Sequence, residues 1–171
     1  MPHRAPELAN PERFPSHTNG VEDRTDLSKG DVWGLGVMFS TLFGTMGDRA
    51  HGLAVIRDLS PELAAIIEHG MLVRDPRDDT DGRYAREHPD RPARLSPHEL
   101  VDVVGLVLFG SNDGFEVESR RVDLAAQVEA DEASGRALVP RTLLEAAWLE
   151  GMDDDALAAA RERLAAVCAC A

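Results

Sequence analysis

The residue types able to do chemistry are few, and their spacing suits none of the common reactions. His98-Glu99 opens the run H-E-L-V-D, which shares its first two residues with the zinc-protease helix H-E-x-x-H. Asp102 follows where that helix continues toward its second histidine ligand, so a zinc site of this kind is not expected. Glu99 has another use, because it stands three residues after Ser96 and completes a capping box. Asp79-Thr80-Asp81-Gly82 has the look of a calcium loop. With Gly82 as its sixth position, however, the first and twelfth would be Arg77 and His88, which supply no calcium ligand. Gly34-Leu35-Gly36 is half of a dinucleotide fingerprint, without the preceding strand or the third glycine, and suits close helix packing better. Lys29 is the single lysine of the chain and lies in no phosphate-binding loop. Cys168 and Cys170 sit in the last four residues, two ligands short of a zinc site and too close in sequence to bridge readily. On spacing alone, no catalytic, cofactor-binding or metal residue is expected.

Composition narrows the classes further. The net charge of −13 argues against nucleic acid, whose phosphates need a basic patch, and against anionic membrane surfaces. The N-terminus has charges and prolines but no apolar core of a secretory signal, so the expected location is cytoplasmic. Aromatic residues make up only 5% and strand-like alternation is rare, which points to a mainly α fold.

The elements follow from caps and periodicity. Asp31–Gly44, D-V-W-G-L-G-V-M-F-S-T-L-F-G, is the most apolar run and covers every face of a helix. That pattern predicts a buried central helix over about 31–44, too short to span a bilayer. Residues 1–30 read as irregular, with one short turn near Ala5–Asn10 and candidate caps at Thr25-Asp26-Leu27-Ser28. A short helix is expected over Asp48–Arg57. A clearer one starts at Ser60-Pro61-Glu62 and carries Leu63, Ile66, Ile67 and Met71 on one stripe. Residues 74–94 form a charged loop insertion, after which Ser96-Pro97-His98-Glu99 opens a helix running to Phe109. Three further helices are predicted near 116–133, 141–151 and 154–168, with Asp153 as a cap. Their apolar faces, including Leu138, Leu143, Leu144, Trp148, Leu157, Leu164 and Val167, either complete the core or receive a partner helix. The division expected is a helical region over 1–109 and a helical C-terminal extension over 110–171.

Four motifs in order carry a resemblance. Ala5-Pro6-Glu7 is similar to the A-P-E motif that closes the activation segment of protein kinases. D-V-W-G-L-G-V, starting 24 residues after Glu7, resembles the start of that family's central C-lobe helix. Leu59–Ala64 with Met71-Leu72 and Arg74-Asp75-Pro76 resembles the next-but-one helix and its D-P ending. Arg94–Leu100, R-L-S-P-H-E-L, resembles the start of the last helix. Together they cover about residues 3–105.

The resemblance implies a kinase C-lobe-like helical subdomain from A-P-E onward, and it implies roles. Glu7 would form a buried ion pair with Arg94, or with Arg91 because the loop before it is long. Asp31 would cap the central helix and bond the catalytic loop, standing as a buried acid when that partner is missing. Trp33 would pack beneath the substrate-binding segment. The family's reaction, phosphoryl transfer from ATP to protein hydroxyls, needs a glycine-rich loop, a strand lysine, a catalytic aspartate and a D-F-G metal ligand. All precede A-P-E in the family; His3-Arg4-Ala5 is not H-R-D, and Asn112-Asp113-Gly114-Phe115 is not D-F-G. ATP and magnesium are therefore implied only for a full-length parent, and no cofactor is expected here. The implied partner is a protein or the missing N-terminal kinase half. The alternative is a stand-alone, non-catalytic α-helical interaction module.

Overall fold

The computed structural model describes residues 24–44, 48–73, 92–110, 114–136 and 139–171, with side chains of the first helix from Gly30 onward. Its α-helices are Arg24–Leu42 (α1), Arg49–Leu59 (α2), Pro61–Ala65 (α3), Pro97–Phe109 (α4), Val117–Ala133 (α5), Pro140–Glu150 (α6) and Asp154–Cys168 (α7). A π-helical turn, Ile66–Met71, continues α3. Among the described residues there is no strand, so the mainly α expectation holds. The described residues up to Leu100 form one compact unit with Leu164–Ala171, and those of Val101–Arg163 form another. The expected turn near Ala5–Asn10, and Glu7, Arg91, Asn112, Asp113 and Leu138, lie outside the described residues.

In the first unit, caps fix where helices begin. Asp48 Oδ1 accepts from the amides of Ala50 at 3.0 Å and His51 at 3.4 Å, which starts α2. Ser60 Oγ accepts from Leu63 N at 3.3 Å, and Pro61 occupies the first turn, which starts α3. Ser96 and Glu99 form the expected reciprocal pair, Ser96 N donating to Glu99 Oε2 at 2.7 Å and Glu99 N to Ser96 Oγ at 3.3 Å. The core gathers Val32, Val37, Ile56, Ala64, Ile66, Ile67, Met71, Val73, Leu95 and Val167. Fully burying each larger aliphatic side chain contributes about 1.5–3 kcal/mol. Two glycines allow elements to approach. A Cβ on Gly36 would stand 3.0 Å from Met71 Cβ and Leu72 Cδ2, and one on Gly52 would overlap the carbonyl oxygen of Ser40. Gly36 thus serves the close packing read from G-L-G.

Two expectations for α1 are corrected. The helix begins at Arg24 rather than Asp31, so Thr25-Asp26-Leu27-Ser28 lies within its first turns instead of capping it. No proline interrupts residues 24–42, so the helix extends N-terminally. The helix is also not buried all round. Val32, Gly36, Val37 and Ser40 are buried, while Leu35, Met38, Phe39 and Leu42 are 40%, 49%, 40% and 71% exposed. An apolar helix with neighbours on one face only keeps the other face in water.

The end of the charged loop is likewise not all solvated. Arg94 and Leu95 are fully buried, and Leu95 N donates to Gly70 O at 2.9 Å. Gly70 belongs to the π turn, where Leu72 N reaches back to Ile67 O at 2.9 Å. A side chain at Gly70 would meet Leu95 Cδ1 at 2.7 Å, so Leu95 lies directly against the turn.

The second unit is organised round Trp148 on α6. Its ring lies 5.7 Å from that of Phe109 and 6.0 Å from that of Phe115. Val103, Leu106, Val117, Leu124, Leu149, Met152, Leu157 and Ala160 complete the apolar interior. Arg120 on α5 bonds the buried carboxylate of Glu145 at 2.6 Å, which holds the arginine's pKa above its ordinary value. Arg121 donates to the carbonyl of Leu149 at 2.7 Å and to that of Met152, which ties α5 to the end of α6 and the residues just after it. Asp153 Oδ1 accepts from Ala156 N at 2.7 Å and caps α7 as expected.

Candidate functional site

The residue that asks for explanation in the first unit is Arg94. It follows the loop and precedes α4, and none of its surface reaches solvent. Its Nε donates to the carbonyl of Val73 at 3.0 Å, and its guanidinium lies 5.1 Å from the centre of the Trp33 ring. A guanidinium over an indole ring is a favourable arrangement, worth about 0.5–2 kcal/mol depending on desolvation. Burying a guanidinium is costly unless hydrogen bonds and charge partners compensate. Two positions singled out in the sequence, Trp33 and Arg94, are thus in contact. Trp33 is half-buried on α1, and among the described residues its buried Nε1 has no hydrogen-bond partner.

Asp31 does not join them. It lies within α1, seven residues after the helix start, and is exposed. The expectation of a capping, buried acid is therefore corrected: an interior helix position has no free amides to cap, and Asp31 opens the same exposed side that continues through Leu35, Met38 and Leu42. Glu7 and Arg91 lie outside the described residues, so the expected ion pair has only its Arg94 side described.

Two features escaped sequence reading. The first is the solvent-facing stripe Leu35, Met38, Phe39 and Leu42, at i, i+3, i+4 and i+7, continued by Phe43, which is 43% exposed. The spacing was visible, but an all-round apolar helix gives no sign of which face lacks neighbours. The second is His69 in the π turn, buried, with Nε2 3.9 Å from Glu68 Oε2. Glu68 also bonds Arg57 at 2.6 Å. The i→i+5 turn that places His69 has no composition signal in I-I-E-H-G-M.

Nothing in these groups assembles a reaction centre. Among the described residues no cluster of three or more His, Cys, Asp and Glu is arranged to hold a metal ion. His98, first of H-E-L-V-D, is exposed on α4, and Glu99 is occupied in the cap. Cys168 and Cys170 are free thiols, and burial, followed by the charge of Glu62, pushes the Cys168 thiol up. A raised thiol is less nucleophilic at neutral pH. No described helix is long and apolar enough to cross a membrane.

Comparison with known proteins adds no relative: no family model, no curated protein and no solved structure matches the chain.

Proposed function

We propose that this chain is the distal part of a protein-kinase-like C-lobe, carrying none of the ATP-binding or catalytic residues and acting as a scaffold and partner-facing surface. The observation that supports it is the contact of Arg94 with Trp33. An arginine withdrawn from water just before α4 lies over the tryptophan of D-V-W, and both positions were singled out by the resemblance. The parent reaction would be phosphoryl transfer from ATP to protein Ser/Thr, with ATP and magnesium held by the other half. In this reading Glu7 is the acid that neutralises Arg94.

A double-mutant cycle tests it. Glu7→Gln and Arg94→Met should each destabilise the chain, with a coupling of at least about 1 kcal/mol between them. Glu7→Gln with Arg91→Met should be additive. Additivity in both cycles would remove the ion pair and with it the lobe reading. Purified chain with ATP and magnesium should show no phosphate transfer to a protein substrate; robust transfer would overturn the non-catalytic assignment.

The second reading, a stand-alone interaction module, is favoured by the exposed stripe on α1. Large apolar residues repeated along one solvent-facing side mark a surface that a protein partner covers. Here the native chain should bind a hydrophobic dye, and Leu35→Ser/Leu42→Ser should reduce that binding without lowering the melting temperature. Dye binding unchanged in that variant would count against the stripe.

A further inference from the structure

A second apolar face lies in the other unit, on α6, and its chemistry differs from that of α1. Val139 just before the helix, then Leu143 and Leu144, are 54%, 52% and 62% exposed, and Ala147 continues the same side. The opposite side of α6 buries Thr142, Glu145, Trp148 and Leu149, so the helix is held in place while its outer face stays bare. Glu150, seven residues after Leu143, ends this side of α6 and is exposed, as are Asp154 and Asp155 in the first turn of α7.

Charge decides what fits there. Val101–Arg163 holds six arginines, no lysine and fourteen Asp and Glu, a net charge of −8 in 63 residues. Four of those arginines are turned onto partners of the same unit. Arg120 bonds Glu145, Arg121 bonds the carbonyls of Leu149 and Met152, Arg136 bonds Asp131, and Arg141 bonds the carbonyl of Leu108. Those four cations are used within the unit, while Glu150, Asp154 and Asp155 are exposed. A second copy of the chain would bring the same negative charge to the contact, which like-charge repulsion disfavours.

We infer that the Val139–Ala147 face of α6 docks a basic amphipathic helix, its apolar stripe on Leu143 and Leu144 and its arginines or lysines on Glu150, Asp154 and Asp155. A helix laid on a helix meets the leucine ridge through its own i, i+3, i+4 residues, while the acids fix its direction.

Two labelled synthetic 18-residue helices test this on the full chain. Both carry the same leucine stripe, one with a lysine/arginine polar face and one with a glutamate polar face. The basic helix should bind and the acidic helix should bind at least tenfold more weakly. Leu143→Ser/Leu144→Ser should weaken the basic helix tenfold or more, and Glu150→Gln/Asp154→Asn/Asp155→Asn should weaken it severalfold and flatten its salt dependence. Both residues of the leucine variant are more than half exposed, so its circular dichroism and melting should match the parent chain. The Leu35→Ser/Leu42→Ser variant should bind the basic helix as the parent does. No binding, equal binding of the two helices, or binding insensitive to the α6 variant would overturn the inference. So would loss of binding in the α1 variant alone, which would instead support the interaction surface on α1. Concentration-dependent dimerisation abolished by Leu143→Ser/Leu144→Ser would assign the face to a second copy and refute the basic partner.

Discussion

Replacing Gly105 by alanine reverses sign according to what stands opposite. Gly105 is the ninth residue of α4, a helix interior where alanine is favoured over glycine by about 1 kcal/mol. Against that gain, a Cβ at Gly105 would overlap Nε1 and Cδ1 of Trp148 and come within 2.6 Å of Cε2. The ring has little room to retreat, because Trp148 is 6% exposed, Phe109 and Phe115 flank it, and a Cβ on Gly110 would itself lie 3.4 Å from Cη2. Forcing a methyl group into such packing costs about 1–3 kcal/mol, and three ring atoms in conflict place this case near the top of that range. Gly105→Ala should therefore destabilise by about 2 kcal/mol, overpacking less propensity. In a Trp148→Leu background the conflict disappears and the same substitution should stabilise, by up to about 1 kcal/mol. Urea unfolding followed by circular dichroism at 222 nm reads all four chains of the cycle without depending on the fluorescence of Trp148. Gly151→Ala, whose Cβ would meet nothing within 4 Å, is the matched control and should be close to neutral. A neutral or stabilising Gly105→Ala in the parent chain would mean that α4 and α6 do not approach as described.

Three other outcomes follow from contacts already given. Ser96→Ala should cost about 1 kcal/mol by removing the capping hydroxyl, and Ser96→Asp should restore most of it, both read by thermal melting. Arg120→Met leaves the Glu145 carboxylate, 7% exposed, without its 2.6 Å partner; because the arginine is itself one-third exposed, the loss should be about 2–3 kcal/mol, below that of a fully sealed pair. Arg120→Met/Glu145→Met should recover much of that loss, since the buried charge goes too. For Cys168 the folded thiol is raised, so the folded state holds its proton longer than the unfolded state does. Its contribution is intact below the unfolded thiol value of about 8.5 and is lost as pH rises above it; Cys168→Ala should flatten that alkaline fall in stability, and Cys168 should alkylate more slowly at pH 8 than a free-thiol peptide.

The parts of the fold written in local chemistry were legible. Ser60, Ser96 and Asp153 each cap a helix where expected, and a cap needs only its own side chain and the next three amides. The three C-terminal helices were predicted at 116–133, 141–151 and 154–168 and occur within a residue of those bounds, because Gly151 and the acids after it end one helix and start the next. What was not legible depends on distant neighbours. The start of α1 was missed because Asp26 and Ser28 have the side chains of caps, and only the absence of a breaker shows that the helix continues through them. The π turn was missed because its longer bond closes round Gly70, whose fit is set by Leu95, 25 residues on. Asp31 was expected at a buried end and stands exposed within the helix, since its environment depended on elements supplied by resemblance and not by its own neighbours.

The apolar run at Asp31–Gly44 shows the limit of pattern reading most clearly. Hydrophobicity all round a helix says that burial on every face would be favourable, not that every face has something to meet. In this chain Val32, Gly36, Val37 and Ser40 are covered while Leu35, Met38, Phe39 and Leu42 remain in water. Each half-exposed side chain forgoes part of the roughly 1.5–3 kcal/mol that full burial contributes, so the four together leave several kcal/mol unrealised. That unrealised free energy is available to any surface able to cover the stripe, less the entropy lost on association. Either proposed reading offers the stripe a cover. A lobe portion would recover it from its complementary half, and an interaction module from a separate protein. The two proposed readings part at Glu7, whose energetic coupling to Arg94 in a double-mutant cycle is expected only of the lobe.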